Sequence, residues 1–119
     1  MILVDTSIWI DHLRRGDRQL ATLLEAGDIV CHPFVIGELA CGSLARRHAI
    51  LELLHALPRT GQAKHDEILA FIDDQHLHGS GIGLIDAHIL WASVSEARVL
   101  WTRDAALRRI AVRLGIAFA

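Results

Sequence analysis

Four carboxylates stand where carboxylates are costly. Asp5 closes the apolar run Ile2-Leu3-Val4, Glu38 interrupts "FVIGELA", Asp86 interrupts "GIGLIDAHIL", and Asp104 follows "VLWTR". Aspartate is disfavoured in strands, and a buried carboxylate must be paired or hydrogen-bonded. Taken singly, three have a simple account. Asp5 and Asp104 would cap the helices after them, and Asp86 would face a helix dipole. Glu38 has no such account, because it sits mid-segment among Val35, Ile36, Leu39 and Ala40.

Taken together, the four point to a chemistry. If the fold gathers them, each close pair at ~4 Å costs ~4 kcal/mol at an effective dielectric of ~20. Such a cluster either takes up protons or takes up a cation. Hard oxygen donors without thiolate or imidazole select Mg²⁺ or Mn²⁺. These ions keep water positions open, and two of them ~3.5–4 Å apart clamp the attacking water and leaving oxygen of a phosphodiester. Asp5, Glu38, Asp86 and Asp104 are therefore the expected metal-binding and catalytic set. Thr6 and Thr102 are its supporting hydroxyls, with Ser7 divided between that role and helix capping.

Elements must carry these groups to one place. Residues 2–5, "DIVCH" and "RVLWT" read as short strands that are apolar on both faces. "RTG" and "IAFA" read as minimal strands. Helices are expected over "TSIWIDHLRRG" (cap Thr6 or Ser7), "DRQLATLLEAG" (cap Asp17), "PFVIGELACGS" (Pro33 in the first turn), "ARRHAILELLHAL", residues 62–77, "LIDAHILWASVSEA" and "RDAALRRIAVRLG". Short apolar strands alternating with helices imply an α/β fold: a short parallel β-sheet covered by helices on both faces. Sites in such sheets form at the carboxyl ends of the strands. Asp5 lies at one of these.

Composition narrows the class. The 119 residues fit one domain spanning 1–119, and no linker or repeat divides them. The net charge of -2 shows no global basic footprint for duplex nucleic acid. Cys31 and Cys41 sit in apolar segments without CxxC spacing and read as reduced core thiols. No charged leader and no membrane-length apolar run is seen, which favours the cytoplasm. Among the basic residues, Arg103 adjoins Asp104 and is the expected contact to a substrate phosphate. Arg109 and Arg113 read as a solvated helix face. Trp9, Trp91 and Trp101 read as core or interface, with Trp9 the one expected to meet a partner. His76 and His78 have ligand-like spacing but read as a polar helix end. His88 ranks low as a general base, since it faces away from Asp86.

"LVDTSIWID", "PFVIGELACGS", "GIGLIDAHILWAS" and "VLWTRDAALRRIA" together resemble the PIN-domain toxins of the VapC type. Four motifs in series, spanning essentially the whole chain, carry that resemblance. It implies a PIN-like α/β/α sandwich. It also implies a divalent-metal-dependent endoribonuclease, the toxin of a type II toxin–antitoxin system held inactive by a cognate VapB-type antitoxin. The resemblance places metal ligation on Asp5, Glu38 and Asp86, completed by Asp104, with Thr6 and Thr102 as the neighbouring hydroxyls. Some relatives carry another acid two positions past the last one; here that position is Ala106, which counts against a full second metal site. A homodimer or larger toxin–antitoxin assembly is expected from surplus apolar side chains on residues 33–57 and 62–78. Two other readings compete. An aspartate-nucleophile phosphatase would want an acid where Ser7 stands. A non-catalytic acidic-pocket interaction module would gain ground if neither nuclease activity nor bound metal were found.

Overall fold

The computed structural model describes residues 1–119. Strand β1 (Ile2–Val4) lies between β2 (Ile29–Val30) and β3 (Val99–Trp101), and all three run parallel. Helices α1 (Thr6–Arg15) and α2 (Arg18–Glu25) join β1 to β2. Helices α3 (Pro33–Cys41), α4 (Arg47–Ala56), α5 (His65–Asp74) and α6 (Leu84–Ser95) join β2 to β3, and α7 (Ala105–Arg113) follows β3. The chain moves one way from β1 to β2 and the other way from β2 to β3. Right-handed crossovers then place the two sets of connecting helices on opposite faces of the sheet. This is the expected α/β/α sandwich, and it explains the uninterrupted apolar strands. Leu3, Val4, Val30 and Leu100 are all buried because neither face meets water.

Local signals set most element ends. Gly16 stops α1 in a left-handed conformation (φ 77°) that costs a glycine little. Asp17 caps α2 by accepting from the Leu20 N–H at 2.9 Å, and Pro33 begins α3. Three expectations shift. Asp5, not Thr6 or Ser7, occupies the N-cap position of α1. The helix expected over 62–77 contracts to α5, because left-handed backbone at His76, Gly79 and Gly81 belongs to the turn that follows. The minimal strands shrink to single parallel bridges, Arg59 with Cys31 and Ala117 with Leu100. At the first of these, Pro58 has no N–H with which to extend the ladder.

Two surface expectations change too. Cys31 is buried as expected, but Cys41 is exposed at the end of α3; both are free thiols. Trp9 is only 3% exposed and belongs to the core, so it cannot be an interface aromatic. Leu53 and Leu69 do project into solvent, as the count of apolar side chains on residues 33–57 and 62–78 suggested. No helix is long and apolar enough to cross a membrane. The central packing is testable at Ile89, fully buried on α6. Truncation by Ile89→Ala should lower the unfolding free energy by about 2–5 kcal/mol in urea denaturation. An unchanged midpoint would contradict this packing.

Candidate active site

The site follows from sheet topology. α1 leaves β1 toward β2, whereas α7 leaves β3 toward the Ala117 bridge on the opposite side. The carboxyl ends of β1 and β3 therefore flank a topological switch point, where adjacent strands send their helices apart and open a crevice. Val4 pairs with Trp101, so Asp5 and Thr102 emerge side by side, with the Asp5 N–H donating to the Trp101 carbonyl at 2.9 Å.

Asp5 is 6% exposed, and its carboxylate makes no capping bond to α1. Its Oδ2 instead accepts from Thr102 Oγ1 at 2.7 Å and from Ser7 Oγ at 2.9 Å. These hydroxyls are themselves held by the next loop. The Arg103 N–H donates to Ser7 Oγ at 3.1 Å, and the Asp104 N–H donates to Thr102 Oγ1 at 3.0 Å. Two backbone donors are thus relayed through two hydroxyls onto one buried carboxylate oxygen. Ser7, divided at first between capping and support, is a full member of this network.

The other acids reach the crevice from three helices. Glu38 is exposed on α3, and its Oε1 accepts from Thr6 Oγ1 of α1 at 2.9 Å. Asp86 sits in the first turn of α6, where its Oδ2 takes a long 3.4 Å bond from the Gly83 N–H. Asp104 caps α7 by accepting from the Leu107 N–H at 2.9 Å. Burial pushes the Asp86 carboxyl above its ordinary range, and the charges of Asp5, Asp104 and Glu38 push it further, against the Gly83 bond. Asp86 therefore feels the charge of all three other acids.

A common pattern runs through them. Each carboxylate fastens one oxygen, while Asp5 Oδ1, Glu38 Oε2, Asp86 Oδ1 and Asp104 Oδ1 take no hydrogen bond from the protein. Four anchored carboxylates with free hard oxygens fit a divalent cation of the Mg²⁺ or Mn²⁺ kind. The side chains do not stand as a finished cage, since no three metal-ligating groups converge tightly enough to grip an ion. Like charges resist closer approach on their own.

The basic and aromatic expectations fare differently. The Arg103 guanidinium is engaged within the protein: Nη1 donates to Asp11 Oδ2 and Nη2 to Asp17 Oδ2, both at 2.8 Å. Nothing local in the sequence marks Asp11 and Asp17 as its partners. His32 is fully buried beside β2, and burial drops its imidazole to about 4, with His88 adding to the effect. His88 is buried and packs edge-on against Phe34 at 4.7 Å, a structural setting. His76 and His78 are exposed in a turn, consistent with a polar helix end.

Fold and crevice define a class. An acid-lined switch point on a small α/β/α sandwich is the architecture of PIN domains, and the PIN-domain family model matches residues 2–113. The chain belongs to that family. Within it the chain is of the VapC type: it is 46% identical to Ribonuclease VapC32 of Mycobacterium tuberculosis over 121 aligned positions, covering all of this chain and 97% of the relative. Among solved structures, FitAcB from Neisseria gonorrhoeae superposes with a TM-score of 0.63 at 20% identity, covering 98% of this chain and 95% of that one. PAE2754 from Pyrobaculum aerophilum gives 0.62 at 18% identity, covering 96% and 88%. These two likenesses concern the fold alone.

A carboxyl whose folded pKa is raised favours the folded state only while it is protonated. That contribution fades as pH rises through the raised value, so ionised Asp86 burdens the fold at neutral pH. Asp86→Asn should therefore melt at a higher temperature than the parent at pH 7 without divalent ions. The gap should close as pH falls toward the ordinary aspartate range. A variant no more stable at pH 7 would show that burial and the neighbouring acids do not burden ionised Asp86 as described.

Proposed function

We propose that this chain is the toxin of a type II toxin–antitoxin pair, a Mg²⁺- or Mn²⁺-dependent endoribonuclease neutralised by a VapB-type antitoxin. The observation that carries this reading is the buried Asp5 carboxylate, fastened on one oxygen by Ser7 and Thr102 and coupled through Asp86 to Glu38 and Asp104. Full-length similarity to a ribonuclease supports the choice of substrate. Such a protein works in the cytoplasm, where its RNA and its antitoxin are.

The chain's own contributions can be derived. Asp5, Glu38, Asp86 and Asp104 would hold the cation, and a bound divalent ion would supply a Lewis acid and a water of lowered pKa. Thr102 and Ser7 keep Asp5 from rotating, and Thr6 does the same for Glu38. Hydroxyls that orient ligating carboxylates in this way are commonly worth 10–100-fold in metal affinity or activity. Asp86, held above the usual carboxylate range by burial and then by the charges of Asp5, Asp104 and Glu38, is the acid whose burden a bound cation would relieve.

A groove of about 360 Å³ opens beside Glu38, lined by Ile10 and Leu13 of α1, Leu39 of α3, and Leu44 and Ile50 beyond it. An apolar groove leading to an acidic crevice suits an antitoxin helix or tail with apolar anchors and a basic side chain at its end. Two copies of the chain associate through apolar side chains such as Leu53 and Leu69.

Purified protein should cleave single-stranded RNA with Mg²⁺ or Mn²⁺ and stop when chelator is added. Asp5→Asn and Asp86→Asn should each abolish cleavage with the fold intact by circular dichroism. Metal-dependent cleavage surviving in both would end the proposal. Ile10→Asp should weaken capture of the antitoxin while RNA cleavage by free toxin persists; unchanged capture would remove the groove from the interface.

A further inference from the structure

Arg103 stands one residue from Asp104 and one from Thr102, yet its guanidinium points to neither. It bridges Asp11 on α1 and Asp17 at the cap of α2, one Nη on each, at 2.8 Å. Asp17 is doubly committed, since its other oxygen caps α2 through the Leu20 N–H. Its own N–H donates to His12 Nδ1 at 3.0 Å, which closes the turn between the helices. Arg15 lowers the Asp11 carboxyl most and the Leu20 N–H lowers the Asp17 carboxyl most, and Arg103 lowers both. Meanwhile the Arg103 backbone N–H reaches Ser7 Oγ, a donor to Asp5.

We propose that Arg103 is a positioning residue: its two-sided bridge to Asp11 and Asp17 holds the segment Thr102–Asp104 against α1, so that the hydroxyl on Asp5 and the carboxylate of Asp104 stay in register for metal binding. This rests on the metal-dependent reading above. An isolated ion pair at a surface is worth little, but a planar fork closed on two separately anchored carboxylates fixes geometry as well as charge. Lysine offers a point charge without that fork and cannot hold both acids in one plane. The bridge joins α1 and the cap of α2, which follow β1, to the segment that follows β3. Loosening it misplaces Thr102 and Asp104 relative to Asp5 without removing any ligand. The competing role, a direct contact to an RNA phosphate, needs a guanidinium free to leave its acids.

Three variants separate the two roles: Arg103→Met, Arg103→Lys, and the pair Asp11→Asn with Asp17→Asn. Mn²⁺ alone is titrated by calorimetry, and steady-state cleavage of a short single-stranded RNA is followed in parallel. A positioning role predicts roughly 10-fold weaker Mn²⁺ binding in Arg103→Met and in the double variant, with a smaller loss in Arg103→Lys. In each, kcat falls while KM for RNA holds. A phosphate contact predicts unchanged Mn²⁺ affinity, a raised KM in Arg103→Met, and tighter RNA binding in the double variant, where Arg103 is released. That second pattern would overturn the proposal. Amide exchange at Asp104, whose N–H rests on Thr102 Oγ1, is read by NMR in metal-free protein. It should speed up in Arg103→Met and in the double variant, and an unchanged rate would sink the clamp even if the parent binds no Mn²⁺. If Arg103→Met does not fold, Arg103→Lys and the double variant carry the same readouts.

Discussion

Everything in the crevice depends on a backbone register. β1 and β3 lie parallel with Val4 opposite Trp101, so the next residues on each strand, Asp5 and Thr102, must emerge together. One step past the apolar ladder, a buried carboxylate meets a hydroxyl at 2.7 Å. A one-residue slip would turn each side chain to the other face and break that pairing. The apolar strands are thus more than core filling: they are the ruler that sets Asp5 against its donors.

The same crevice works against the stability of the fold. Asp5, Glu38, Asp86 and Asp104 arrive from four different elements, and the Asp86 carboxyl is raised first by burial and then by the charges of the other three. The protein tolerates this because each acid has one oxygen satisfied locally. Hydroxyls serve Asp5 and Glu38, and backbone N–H groups of helix first turns serve Asp86 and Asp104. Capping and ligation are therefore compatible in this fold. A helix N-terminus stabilises the negative charge and aims one oxygen, and the second oxygen remains for other use. Function of this kind is bought with local repulsion, which the central packing around β1 and α6 offsets.

The segments that follow β1 and β3 are tied by charge as well as by hydroxyls. Arg103 was legible as a base beside an acid and so looked like a substrate contact. The folded chain commits it instead to Asp11 and Asp17, 92 and 86 residues away in sequence. Trp9 shows the same kind of shift in the core. Trp9 reads as partly exposed and free to meet a partner, but at 3% exposure it packs within the central core.

The alternation of short apolar strands with capped helices determined the α/β class, and the place of the acids at strand ends and helix starts marked Asp5, Glu38, Asp86 and Asp104 as candidates. Local chemistry reached that far because strand polarity, proline at a first turn and glycine at a helix end act over a few residues. What only the tertiary structure decided was pairing across long separations: Thr102 with Asp5, Thr6 with Glu38, Arg103 with Asp11 and Asp17. Such contacts arise from the order β2-β1-β3 and from the directions in which the helices leave the sheet. No short stretch of sequence encodes those distances, since each depends on where the rest of the chain has already packed.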